Sequence, residues 1–204
     1  MKLKHQVPKC ASYHGILFIH IPKAAGSKVS LDLYGSQIGH KKAKDYYFND
    51  HSSFCLVPTF TIVREPIDRF LSAYNFLTSG GLSKKDRDFN REVLSKCSSV
   101  NEFIEKEMSV NSLNVYKVPH FESQYEYVYS RGTLLVDFVF KLEDLVEGKI
   151  SISDVFNLRR EINFSDIKNR SKEKKFSHAD LTEKSIHTLK EFYHKDYEVF
   201  AYDK

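Results

Sequence analysis

Phe18-Ile-His-Ile-Pro-Lys-Ala-Ala-Gly-Ser-Lys28 is the stretch on which the fold turns. An apolar run, Ile16 to Ile21, stops at Pro22, and a turn of small residues follows with Lys23 at its mouth. A buried strand is expected over residues 15–21 and a helix from Ser27 to Leu33. Strand, small-residue turn and helix start are the parts of a phosphate cradle. Backbone N–H groups and the positive end of the helix dipole then face an anion. A Walker A loop reads G-x-x-x-x-G-K-[ST]. Here the first glycine is missing, Lys23 precedes Gly26, and Val29 follows Lys28 where a hydroxyl would hold magnesium. The expectation is an anion cradle without a magnesium ligand. The plainer reading is a strand-to-helix turn that binds nothing.

A second stretch, Thr61-Ile-Val-Arg-Glu-Pro-Ile-Asp-Arg-Phe-Leu-Ser-Ala-Tyr74, has the same order of parts. Phe60–Val63 reads as a buried strand with Arg64 at its end, and Pro66 suits the first position of a helix. Ile67, Phe70, Leu71, Tyr74 and Leu77 recur at one-face helical spacing, and Gly80-Gly81 closes the element. Open α/β sheets bind ligands where strand ends meet helix starts. Arg64 offers a planar fork suited to phosphate, and Ser72 on the helix adds a hydroxyl. Taken singly, Arg64 is equally a salt-bridge partner of Glu65 or Asp68, and Ser72 a solvated helix residue.

Elsewhere, Gly35 to Asp50 is polar, with Lys41, Lys42 and Lys44, and reads as loop and short helix. Residues 82–99 read as a surface excursion, Val100–Met108 as a short helix and Leu134–Leu142 as a third strand. Residues 166–177 are polar and basic, hence loop. Ser177 to Phe200 reads as one C-terminal helix with Ser177 and Asp180 as rival caps. Strands separated by helices predict an α/β fold, a central parallel sheet flanked by helices. A chain of 204 residues fits one domain, 1–204. Lys+Arg exceeds Asp+Glu by only 31 to 27, which suits an enzyme of anions and does not argue for nucleic acid. Cys10, Cys55 and Cys97 are an odd set with no C-x-x-C, against a disulfide scaffold or zinc site. They read as free thiols of a cytoplasmic protein. No stretch is long and apolar enough to span a membrane.

Together the two motifs resemble the PAPS-dependent sulfotransferases, closest to the carbohydrate sulfotransferases of the heparan 2-O-sulfotransferase-like and bacterial type. PAPS is 3′-phosphoadenosine 5′-phosphosulfate. The resemblance implies a P-loop-type three-layer domain and assigns Lys23, Ala25, Gly26, Ser27 and Lys28 to the donor's 5′-phosphosulfate. It assigns Arg64 and Ser72, eight residues apart, to the 3′-phosphate. Softer likeness runs through Pro119–Val128, Val136–Leu145 and the basic loop Lys168–Lys175, whose Arg170, Lys172 and Lys175 are implied to close over the nucleotide. Three departures stand out. Ala24-Ala25 replaces the commoner Thr-Gly, Lys28 a Ser or Thr, and Glu65 an Asp, which is the better helix cap.

The activity implied is sulfuryl transfer to a hydroxyl of a carbohydrate or glycolipid acceptor, without metal. Lys23 suits the charge developing on the leaving phosphate. A histidine is the natural base near neutrality. His51, in Asp50-His-Ser-Ser-Phe54, is the first candidate and His40 the second, while His20 reads as structural. For an amine or more acidic acceptor, Glu122 or Glu143 would serve. Tyr125, Tyr127 and Tyr129 alternate as on an extended segment and offer a stacking face for sugars or mere edge packing. The alternatives are a P-loop kinase or NTPase, and a nucleotide-binding relative without catalysis.

Overall fold

The computed structural model describes residues 6–108, 112, 114–159, 161–164, 167 and 175–203. In chain order the elements are α1 (Lys9–His14), β1 (Leu17–Ile19), α2 (Gly26–Tyr34), α3 (Ala43–Asn49), α4 (His51–Phe54), β2 (Thr59–Val63) and α5 (Pro66–Thr78). Then come α6 (Lys84–Glu92), α7 (Val100–Glu107), α8 (Tyr125–Val128), β3 (Tyr129–Ser130), β4 (Thr133–Leu134), β5 (Phe138–Lys141), α9 (Leu142–Glu147) and α10 (Ile152–Val155). The last are α11 (Glu183–Phe192) and α12 (His194–Val199). The chain divides into two compact units: Met1–Arg64 with Gln124–Arg170, and Glu65–Ser123 with Ser171–Lys204.

The first unit holds the parallel sheet, in the order β1-β2-β5. Leu17 pairs with Thr59, and Phe60 with Phe138. Every residue of β1 and β2 is buried, so these strands are continuous apolar runs rather than alternating ones. Thr59 and Thr61 are the polar exceptions, and the Thr61 hydroxyl donates across the sheet to the Ile19 carbonyl at 2.8 Å. Phe18, Phe60 and Phe140 pack ring to ring, with centroids 4.9 and 5.9 Å apart. The β1–β2 connection carries α2, α3 and α4, as a parallel crossover must carry intervening structure. Tyr34, at the end of α2, locks that helix to β1. Its hydroxyl accepts from Phe18 N–H and donates to the Ile16 carbonyl, both at 2.9 Å.

Three expectations for this unit need correction. The first strand pairs only over Leu17–Ile19, because the chain leaves the sheet at His20 for the loop. The third strand starts at Phe138, not Leu134. Asp137 stops it short by turning its carboxylate onto the Thr59 N–H (2.7 Å) and hydroxyl (2.8 Å). Thr133–Leu134 instead pairs antiparallel with Tyr129–Ser130 across Arg131-Gly132, both at positive φ, as a two-residue hairpin turn requires. Tyr125 and Tyr127 lie in α8 rather than on a strand. Tyr127 is buried, and Tyr125 stacks on Tyr129 with centroids 4.5 Å apart.

The second unit is helical. The predicted face of α5 is its core face: Ile67, Phe70, Leu71, Tyr74 and Leu77 are all buried, among Phe89, Phe103 and Phe121. Residues 82–99 are not an excursion. Ser83 and Asp86 form a reciprocal cap that starts α6, and Phe89 is buried in the core. Arg69 is fully buried, donating to the His120 carbonyl (3.1 Å) and the Glu122 carbonyl (2.7 Å) with its guanidinium over the Tyr193 ring. The expected single C-terminal helix is broken. Ser177 and Asp180 cap a short turn at His178–Asp180, Thr182 caps α11, and the chain re-starts after Tyr193 as α12. The Tyr193 side chain explains the break point, since it is buried and donates its hydroxyl to the Phe121 carbonyl at 2.8 Å. Cys10, Cys55 and Cys97 are free thiols. Among the described residues no helix is long and apolar enough to cross a membrane.

Candidate functional site

The loop after β1 turns sharply into the start of α2. Lys23 and Ala25 are both left-handed, at φ 68° and 62°, with Ala24 between them outside that region. A non-glycine residue held there costs about 1 kcal/mol or more, so the loop stores strain that the surrounding structure must offset. Ala24 is fully buried and anchors the turn. Ala25 caps α2 with no side-chain hydrogen bond, and its carbonyl accepts from Lys28 N–H at 3.1 Å. The N–H groups of Gly26 and Ser27 open the helix and have no intrahelical acceptor by position. Ser27 is exposed, whereas Gly26 is buried.

Gly26 is buried because His20 lies against it. A Cβ at Gly26 would stand 1.9 Å from His20 Cδ2 and 2.4 Å from Nε2. The His20 ring is 3% exposed and stacks on Phe18 at 5.6 Å. Burial pushes its pKa down to about 3, with the His40 charge adding in the same direction. His40 meets it edge to face, with ring centroids 4.2 Å apart, and His40 Nδ1 is 3.3 Å from the His20 carbonyl. A carbonyl oxygen only accepts, so in this contact Nδ1 carries the proton and the lone pair of neutral His40 sits at Nε2.

The other predicted residues are distributed as follows. Lys23 is half-buried, and the Lys28 ammonium pairs with Asp32 on the same helix at 2.9 Å. Arg64 is half-buried at the end of β2. Its N–H donates to Gln124 Oε1 (2.9 Å), and Gln124 Nε2 donates back to its carbonyl (2.8 Å). His51 is exposed on α4, edge-on to Tyr47 and with Cys55 Sγ at 3.7 Å. Ser72 belongs to the second unit, half-buried on α5. Lys175, also in that unit, is exposed with its ammonium over the Phe176 ring. Arg170 and Lys172 lie outside the described residues. The structure thus gathers His20 and His40 at the loop, and ties Arg64 to Gln124.

Gln124 is the residue that sequence reading passed over. It is fully buried, and a polar side chain there must be spent on the backbone it pairs with. Nothing in its spacing announces that role. Glu65, expected to cap α5 poorly, caps it well. Its Oε2 accepts from Asp68 N–H and its Oε1 from the Tyr197 hydroxyl, each at 2.6 Å. The longer side chain reaches both donors. With His178 on Asp68 at 3.5 Å, this trio could offer oxygen and nitrogen ligands, but both Glu65 oxygens already accept hydrogen bonds, from Asp68 N–H and the Tyr197 hydroxyl.

A parallel strand runs into a strained, lysine-bearing loop and the start of α2 within a mixed α/β fold. A family model described as the sulfotransferase family matches residues 9–203, and the chain belongs to that family. No curated protein and no solved structure matches it.

Proposed function

We propose that this protein transfers a sulfuryl group from PAPS to a hydroxyl of a carbohydrate-type acceptor. The observation that carries the reading is the left-handed pair Lys23 and Ala25 in front of an uncapped helix start, within a chain of the sulfotransferase family. Such a loop suits a multiply charged phosphosulfate, because N–H groups and a lysine act together on one anion. Family membership runs across both units, which supports treating 1–204 as one catalytic domain. Arg64 and Ser72 are assigned to the donor's 3′-phosphate, and Arg170, Lys172 and Lys175 to its cover, on the resemblance alone.

In this reading Lys23 follows the bridging oxygen as the S–O bond breaks and adenosine 3′,5′-bisphosphate leaves. The lysine is a mobile point charge, and in this role it acts most strongly on the charge that develops late. The loop N–H groups hold the 5′-phosphate side. A histidine takes the acceptor's proton as the new O–S bond forms. His40 suits that task better than His51, since its Nδ1 contact with the His20 carbonyl beside the loop fixes the ring. No step requires a divalent ion.

Turnover of radiolabelled donor with a panel of glycan acceptors tests this. His40→Ala is expected to lower kcat by about 10²-fold or more, and His51→Ala to leave it within about threefold. The opposite ranking would return the role to His51. No transfer by the wild-type chain to any acceptor would defeat the catalytic claim.

A further inference from the structure

Arg64 stands one residue past the last register pair of the sheet. The pairing of β2 with β1 ends at Thr61 opposite Ile19, and with β5 at Val63 opposite Lys141. A side chain continues that pairing by one more residue. Gln124 Oε1 accepts from Arg64 N–H at 2.9 Å, and Gln124 Nε2 donates to the Arg64 carbonyl at 2.8 Å. A primary amide carries an acceptor and a donor side by side, so it can copy the edge of a neighbouring strand. The Arg64 N–H and carbonyl belong to the two peptide planes that flank its Cα. Holding both planes fixes φ and ψ there, and with them the direction in which the arginine side chain leaves the backbone. Gln124 is itself anchored, fully buried at the start of α8, where its carbonyl accepts from Tyr127 N–H at 3.0 Å.

We propose that Gln124 is a positioning residue that aims Arg64 at the donor's 3′-phosphate and so sets the preference for a 3′-phosphorylated nucleotide. The proposal rests on the reading of Arg64 as the 3′-phosphate ligand. Gln124 is fully buried, so it meets no nucleotide and acts through Arg64. A guanidinium fork grips two phosphate oxygens only over a narrow range of approach. Backbone freedom at a strand end would widen the range the fork explores, and ordering it would then oppose binding. The amide removes that freedom before the ligand arrives. Leucine or methionine would fill the same space without burying polar atoms that need partners, so packing alone does not call for an amide here. Glutamate would offer no N–H to the Arg64 carbonyl.

Calorimetric titration of the full chain with adenosine 3′,5′-bisphosphate and with adenosine 5′-monophosphate, which lacks the 3′-phosphate, reads this without turnover. Arg64→Ala and Gln124→Met are each expected to weaken the bisphosphate by about tenfold or more and the monophosphate by less than about twofold. A general fold defect would weaken both nucleotides together. In the Arg64→Ala background, Gln124→Met is expected to add less than about twofold, because its effect passes through the missing side chain. Gln124→Asn keeps the amide but is one methylene short of the Arg64 backbone, and it carries the same test if the methionine variant fails to fold. Equal losses on both nucleotides, no loss on either, or a full further loss in the double variant would overturn the role of Gln124. The reading of Arg64 fails separately: a wild-type chain with no preference for the bisphosphate, or an Arg64→Ala chain that keeps it, removes Arg64 from the 3′-phosphate and the proposal with it.

Discussion

Gly26→Ala is the substitution with the sharpest consequence. One methyl group is added at a helix start, where alanine would ordinarily be the better helix former by about 1 kcal/mol. The structure reverses that sign. The added Cβ would lie 1.9, 2.4 and 2.8 Å from three atoms of the His20 ring. That ring cannot retreat, since Phe18 stacks at 5.6 Å and His40 lies 4.2 Å away. Overpacking of this kind costs about 1–3 kcal/mol, so a net loss between about zero and 2 kcal/mol is expected after the helix gain. Chemical denaturation of the full chain measures it. A double-mutant cycle with His20→Ala sharpens the test, because removing the ring should recover most of the loss as a coupling energy. A Gly26→Ala chain more stable than wild type, or a loss that His20→Ala does not relieve, would refute the packing of His20 on the loop.

Three further outcomes follow from the same geometry. His20 has a folded-state pKa of about 3 against an ordinary 6.5, so it binds fewer protons in the folded chain. Its contribution is full above pH 6.5 and is lost as pH falls toward 3, by up to about 1.4 kcal/mol per pH unit; wild type should therefore lose stability relative to His20→Leu on acidification, read from denaturation midpoints, and parallel curves would contradict it. Gln124→Leu leaves the Arg64 N–H and carbonyl without their partner and should cost about 2–4 kcal/mol, read by urea denaturation; a loss below about 0.5 kcal/mol would show that the pair is dispensable. Lys23→Ala should lower kcat by about 10²-fold or more with a smaller effect on donor KM, and equal losses in ground-state binding would remove its role on the leaving group.

Much of this was legible in the residues. Ile16 to Ile21 and Phe60 to Val63 announce buried parallel strands because apolar residues dominate both runs, interrupted by His20 and Thr61 alone, and both strands are fully buried. The α5 face was legible because its spacing is long and regular. What was hidden depends on contacts distant in sequence. Asp137 ends the third strand's reach through Thr59, 78 residues away, and no local pattern records that. Glu65 caps α5 with help from Tyr197, so a ranking of cap residues alone misjudged it. In the loop, the departure Ala25 was visible, but not that it adopts the left-handed conformation which glycine takes most easily. The histidines were the hardest to rank. His20 reads as a strand residue and His40 as part of a lysine-rich loop. Only the crossover through α2 brings their rings together beside Gly26.

Calorimetric titration with adenosine 3′,5′-bisphosphate in EDTA, set beside ATP with and without magnesium, bears most directly on the loop as a metal-free cradle for a phosphosulfate donor. Saturable binding of the bisphosphate in EDTA, stronger than that of ATP under either condition, is the predicted result. ATP binding that appears only with magnesium, with the bisphosphate left unbound, would contradict it.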